Sequence, residues 1–221
     1  MRREHAAALR FTLMWGALFA IGLFLVATQE KLALHRAVNA IHGPGLDWFF
    51  SWFTHTADGL VPAGLALALL FVRDVRAFLM MGLSCGISAI AVQLLKRQVF
   101  SDMHRPSAFR DHLGDLHWVE GVDLHGHFSF PSGHSTAAFS MCFALAVILS
   151  RPRLAMPFAV LAALMAWSRV YLSQHFLQDA VAGSLLGTAA AFGIYWALYR
   201  SPMSGRPWLD ARLMVPGRRK A

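Results

Sequence analysis

Long apolar runs alternate with short polar connections along this chain. A helix needs about 20 mostly apolar residues to cross a hydrocarbon core roughly 30 Å thick. Six runs approach that length: residues 11–28, 60–72, 77–95, 134–150, 154–171 and 180–199. The second is short unless it begins near Trp52, which brings Asp58 to the membrane boundary. Gly183 and Gly187 form a GxxxG pair in the last run, a spacing that lets a neighbouring helix come close but is also common by chance. The first run follows Arg2 and Arg3, as a signal peptide would. Its apolar stretch is long for one and Val26-Ala27-Thr28 fits a cleavage site poorly, which favours an uncleaved span. The connection 29–59, with Trp48, Phe49, Phe50, Trp52 and Phe53, reads as a helix lying in the membrane interface. The longest polar connection, 96–131, holds His104, His112, His117, His125 and His127 among five acidic residues. There is no internal repeat, so the expectation is one all-α domain over 1–221: a six-helix membrane bundle with a basic cytoplasmic tail at 200–221.

Composition sharpens this picture. The 221 residues are 57% hydrophobic and only 14% charged, whereas soluble domains carry roughly a quarter charged residues. That excludes a cytosolic enzyme, a disordered tail protein and a secreted disulfide scaffold. Cys85 and Cys142 both sit in apolar runs and form neither a disulfide framework nor a zinc pattern. With six spans both termini share a side, and that side carries 13 of the 20 Lys and Arg but only Glu4, Asp74 and Asp210 of the 12 acidic residues. Positive-inside logic puts the termini in the cytoplasm. The net charge of +8 is then met by an anionic leaflet, and nucleic acid is not needed as a partner. The connections after the first, third and fifth spans face outward, and the basic tail suggests a bacterial inner membrane.

Three outward clusters carry candidate chemistry. Lys96 and Arg97 end the third span, followed by Arg105-Pro106. Ser129-Phe130-Pro131-Ser132-Gly133-His134 opens the fourth, where freed helix N–H groups can bind an anion. Ser168-Arg169, His175 and Asp179 lie between the fifth and sixth, with His175 and Asp179 four apart on one helical face. A carboxylate on one ring nitrogen fixes the tautomer and raises the basicity of the other. Each cluster alone reads as something ordinary: snorkelling cations, a capped helix, a pair closing a helix start. Connections three and five lie on the same membrane face, however, so all three clusters can converge. Several cations, a helix N-terminus, two histidines and a carboxylate are what phosphoryl transfer needs.

These residues resemble those of the type 2 phosphatidic acid phosphatase superfamily, membrane lipid-phosphate phosphatases related to vanadium haloperoxidases and glucose-6-phosphatase. The family's second motif, PSGH, stands intact as Pro131, Ser132, Gly133 and His134. Its third, S-R-x5-H-x3-D, stands intact as Ser168, Arg169, His175 and Asp179. Its first reads Lys, six residues, then Arg-Pro; here eight residues separate Lys96 from Arg105 and seven separate Arg97 from it. Lys96 is the expected lysine, because a short loop insertion leaves the helix-end position unchanged. The resemblance covers roughly residues 77–199. It implies a two-step mechanism without metal or other cofactor: His175 as nucleophile forming a phosphohistidine, Asp179 orienting it, and His134 protonating the leaving oxygen and then activating water. Lys96, Arg105, Arg169, Ser132 and the Gly133 N–H would hold the phosphate oxygens.

The leading expectation is a phosphatase acting at the outer, periplasmic face on a lipid phosphate or diphosphate in the bilayer. Undecaprenyl diphosphate, phosphatidylglycerol phosphate, phosphatidate and a lipid A phosphate all fit. Transfer of the phosphate to a lipid alcohol is the alternative on the same fold. A transporter binding a metal through the loop histidines is a distant third, because their spacing matches no ligand template and the third, fifth and sixth spans lack the intramembrane ionisable residues of a transport path. Oligomeric state is not legible.

Overall fold

A computed structural model describes residues 2–212 of the chain. Among them there is no strand. Eight α-helices follow one another: α1 (Arg3–Thr28), α2 (Lys31–Asn39), α3 (Pro44–Phe53), α4 (Leu60–Val72), α5 (Val75–Leu94), α6 (Gly133–Leu149), α7 (Pro152–Tyr171) and α8 (Leu177–Tyr195). α5 and α8 each end in a π-helical turn, Leu95–Val99 and Trp196–Arg200.

Four helices are long and apolar enough to cross a bilayer: α1, α5 and α8 with their π turns, and α7. A fifth such unit forms only if α3, the 3-10 turn Thr54–Ala57 and α4 are taken together, and that pair is bent by 49°. α6 has 17 residues, about 26 Å of helix. It is the centre of the bundle, touching α1, α5, α7 and α8, and most of its side chains are buried on every face. An apolar helix enclosed by others needs no polar stripe.

The closest packing is between α6 and α8. A Cβ added at Gly183 would lie 2.5 Å from the Ser132 carbonyl oxygen and 2.9 Å from Ser135 Cβ; one at Gly187 would collide with the Thr136 carbonyl. The GxxxG pair discounted on spacing alone is thus the seam along which α8 meets α6.

Two expectations are corrected. The connection 29–59 is not one interfacial helix. Gly43-Pro44 divides it into α2 and α3, because proline opens a helix and cannot continue one. Nor are residues 201–212 a free basic tail. They fold back in two 3-10 turns, bury Leu209, and are fastened to the start of α5. There the Arg76 guanidinium donates to Asp210 (2.9 and 3.0 Å), to the Ser204 carbonyl (2.9 Å) and to the Leu198 carbonyl. The rest of the basic segment, including Arg218, Arg219 and Lys220, lies outside the described residues.

After the π turn that ends at Val99, the long connection to residue 131 has no helix beyond a 3-10 turn at Pro106–Phe109, yet it is tied down. The Asn39 side chain donates to the His117 carbonyl and accepts from the His117 N–H, both at 2.8 Å. Arg36 reaches Asp115 at 3.3 Å, and the Lys31 ammonium sits over the Phe109 and Phe176 rings. α2 therefore pins the connection over the mouth of the bundle. Of the loop histidines, His117 bonds Asp47 and the His104 and His127 rings lie edge-on to each other; no group of three His, Cys, Asp or Glu side chains is arranged to hold a metal ion among the described residues.

Candidate active site

The nucleophile candidate sits in the five-residue link between α7 and α8. Asp179 occupies the third position of α8, where a carboxylate suits the freed N–H groups of a helix start. Its Oδ2 accepts from the Phe176 N–H at 3.0 Å, from the Ser129 hydroxyl, and from His175 Nδ1 at 3.3 Å. That arrangement leaves His175 Nε2 without a protein partner among the described residues. His175 is 1% exposed and Asp179 fully buried. Burial pulls the His175 ring down to about 3, with the Asp179 hydrogen bond and charge pulling upward and Arg105 and Lys96 pushing down. The ring is therefore neutral at ordinary pH, which is the form that carries a lone pair on Nε2.

The second histidine enters from α6. Ser132 is the N-cap of that helix, its hydroxyl accepting from the Ser135 N–H at 3.3 Å. The Ser132 N–H donates to the Asp179 carbonyl at 2.9 Å. This one bond ties the start of α6 to the start of α8, so the helix end bearing Gly133 and His134 lies beside the His175 loop. Lys96 and Arg169 are within electrostatic reach of His134, as Lys96 and Arg105 are of His175.

Three cations surround this junction. Lys96 is 7% exposed and donates from Nζ to the Phe128 carbonyl at 2.9 Å; Arg97, its neighbour in the same π turn, is exposed. The geometry thus turns Lys96 inward and Arg97 outward. Arg105 is anchored through Nε to the His127 carbonyl (2.9 Å), and its Nη1 reaches the Gln174 side-chain oxygen at 3.2 Å. Burial lowers the Arg105 guanidinium from its ordinary value, with Asp179 opposing. Arg169 donates to the same Gln174 oxygen at 3.3 Å and to Thr54 Oγ1 at 2.9 Å. An open cleft of about 420 Å³ is lined by Gln93, Lys96, Arg97, Arg105 and Phe128.

All eight residues singled out from the sequence (Lys96, Arg105, Ser132, Gly133, His134, Arg169, His175 and Asp179) gather at this one end of the bundle. Several others there carried no motif. Gln174 braces two guanidiniums and is itself held by donating to the Asp123 carbonyl at 2.7 Å. Ser129 secures Asp179. His35 of α2 meets the Ser173 hydroxyl at 3.1 Å and lies edge-on against Phe176, supporting the His175 loop from behind. Thr54 and Asp58, between α3 and α4, touch Arg169 and His134. Ser129 stood in the cluster read at the start of the fourth span, without a role of its own; Gln174 adjoins His175, a weak signal, and the others had none.

The family model described as PAP2 superfamily matches residues 77–202, more than half of the chain and every motif residue named above. The chain belongs to the PAP2 superfamily. Its relatives include a protein of Bacteroides thetaiotaomicron named lipid A 4'-phosphatase. The two are 27% identical over 197 residues, 81% of this chain and 80% of the relative. Among solved structures, Aquifex aeolicus LpxE aligns with a TM-score of 0.64 and 26% identity over 74% of this chain and 93% of that one. A PAP2-type phosphatidylglycerolphosphate phosphatase from Bacillus subtilis shares the fold, at a TM-score of 0.58 and 24% identity over 88% of this chain and 94% of that one.

Proposed function

We propose that this PAP2 protein is a membrane lipid phosphatase that cleaves the phosphate of a lipid through a phosphohistidine. The carrying observation is the buried His175–Asp179 pair, with Nε2 unengaged among the described residues and Lys96 and Arg105 within electrostatic reach. Nε2 attacks phosphorus while the bond from phosphorus to the lipid oxygen breaks, and His134 protonates that oxygen. The same ring then takes a proton from water as the water oxygen attacks phosphorus and the phosphorus–nitrogen bond to His175 breaks. The three cations, with Ser132 and the Gly133 N–H, stabilise the charge on the equatorial oxygens. The name of the lipid A 4'-phosphatase relative supports testing a lipid A phosphate first, before phosphatidate, phosphatidylglycerol phosphate and undecaprenyl diphosphate.

In this reading the chain crosses a bacterial inner membrane six times, with the α3–α4 pair as the broken second span and α6 as the enclosed fourth. The excess of Lys and Arg on the termini side supports cytoplasmic termini and an active site on the periplasmic face. The test is His175→Ala in detergent-solubilised protein, assayed for phosphate release over a panel of those lipids. Loss of about 10⁴-fold or more in turnover is expected. Near-normal turnover on every lipid that the wild type hydrolyses overturns the assignment.

A further inference from the structure

The segment between α3 and α4 lies outside the part of the chain that matches the family, yet it reaches into the site. Asp58 occupies the break where the α3–α4 pair bends. Its Oδ1 takes His134 Nε2 at 2.7 Å and its Oδ2 takes His55 Nδ1 at 2.8 Å. One turn earlier, Thr54 Oγ1 accepts from Arg169 Nη1 at 2.9 Å. The charged groups facing His134 are Asp58 from this break, Arg169 from α7 and Lys96 from the π turn after α5. Asp58 is the one carboxylate among them. Without it, a protonated His134 would meet two cations and no anion, an unfavourable place to store a proton.

The geometry points to Asp58 as a positioning residue for His134, holding its Nε2–H and so presenting Nδ1 to the oxygen that leaves phosphorus. This inference rests on the role given to His134 above. The two histidines then work in opposite senses. His175 gives Nδ1 to its carboxylate and Nε2 to phosphorus; His134 gives Nε2 to its carboxylate and Nδ1 to the proton transfer. Protons balance. The His134 imidazolium passes its Nδ1 proton to the lipid oxygen and remains a neutral ring with Nε2–H on Asp58. It then regains a proton at Nδ1 from the water that attacks the phosphohistidine.

The experiment compares Asp58→Asn with His134→Ala in the full-length solubilised protein, on dioctanoyl phosphatidate and on p-nitrophenyl phosphate. An alkoxide leaving group needs a proton and p-nitrophenolate does not. Asp58→Asn is expected to lower kcat on phosphatidate by about 10–100-fold, part of what a general acid contributes, with KM changed less than threefold. The burst of p-nitrophenol should be retained, and the alkaline limb of the phosphatidate pH–rate profile should move to lower pH by about one unit. Asp58→Glu, which keeps the charge, should recover part of the loss. If His134→Ala abolishes phosphatidate turnover and Asp58→Asn leaves rate and profile unchanged, the positioning role falls and the mechanism stands. An Asp58→Asn loss that is equal in burst and turnover, with no shift of the limb, marks a merely structural residue and also overturns the inference. If His134→Ala is itself as active as wild type, the mechanism is what fails. Should Asp58→Asn not fold, ¹⁵N-histidine spectra of the wild type decide. The inference requires His134, assigned by loss of its signal in His134→Gln, to be an Nε2–H tautomer above its titration; an Nδ1–H tautomer overturns it.

Discussion

Two histidine–aspartate pairs stand at the same end of the bundle and are built differently. His175, in the link before α8, and Asp179, on its first turn, are four residues apart and both almost fully enclosed, with three donors converging on a single carboxylate oxygen. His134 and Asp58 are 76 residues apart; their side chains are 26% and 39% exposed, and the carboxylate is shared between two rings. The contrast follows from the work assigned to each. A nucleophile benefits from being neutral and fixed, which burial supplies. A group that must exchange protons with water benefits from being reached by water.

The sharpest way to break this contrast is Asp179→Asn. An amide cannot accept from all three donors and hold His175 in one tautomer. A fall of about 10³–10⁴-fold in steady-state phosphate release is expected. A variant within tenfold of wild type would mean that the enclosed pair is no more demanding than the open one. Acid stability is the next discriminator. His175 has a folded value of about 3, well below its ordinary 6.5, because burial disfavours the charged ring. The unfolded chain therefore takes up a proton that the folded one refuses. The stabilisation is fully present above pH 6.5 and is lost as pH falls from there toward 3. Melting temperature should drop more steeply with acidification in wild type than in His175→Gln, and parallel curves would contradict the burial argument. The smallest effect concerns the seam that brings the two pairs together. Gly187→Ala should destabilise by about 1–3 kcal/mol through overpacking against Thr136. Gly16→Ala, which meets nothing within 4 Å, is the control, and equal melting temperatures would show that α6 and α8 can separate at little cost.

The same contrast explains what could be read from the chain alone. α5, α7 and α8 were legible because an unbroken apolar run is a sufficient signal for a span. The His175–Asp179 pair was legible from its four-residue spacing, although His175 lies just before α8 and meets Asp179 at the helix start, not along a shared helical face. His134 was legible from its place in a helix-opening motif, but its partner was not, since nothing local to Asp58 distinguishes it from a boundary carboxylate. Spacing also left Lys96 and Arg97 ambiguous; the π turn that directs one inward depends on how the helix end packs. Gly183 and Gly187 had the right spacing, but whether another backbone arrives to use it is a tertiary matter. The division of 29–59 into α2 and α3 was signalled by Gly43-Pro44, and the aromatic density of the segment obscured it.

The fastening of residues 201–212 to Arg76 has a further consequence. α5 and α8 run antiparallel, so the clasp joins their far ends, a membrane's width from Lys96 and Asp179. With the clasp at one extremity and the Ser132–Asp179 link near the other, α5 is tied to the segment after α8, and α6 to the start of α8. The helix that ends at Lys96 is thus anchored at the opposite surface, by residues outside the candidate site.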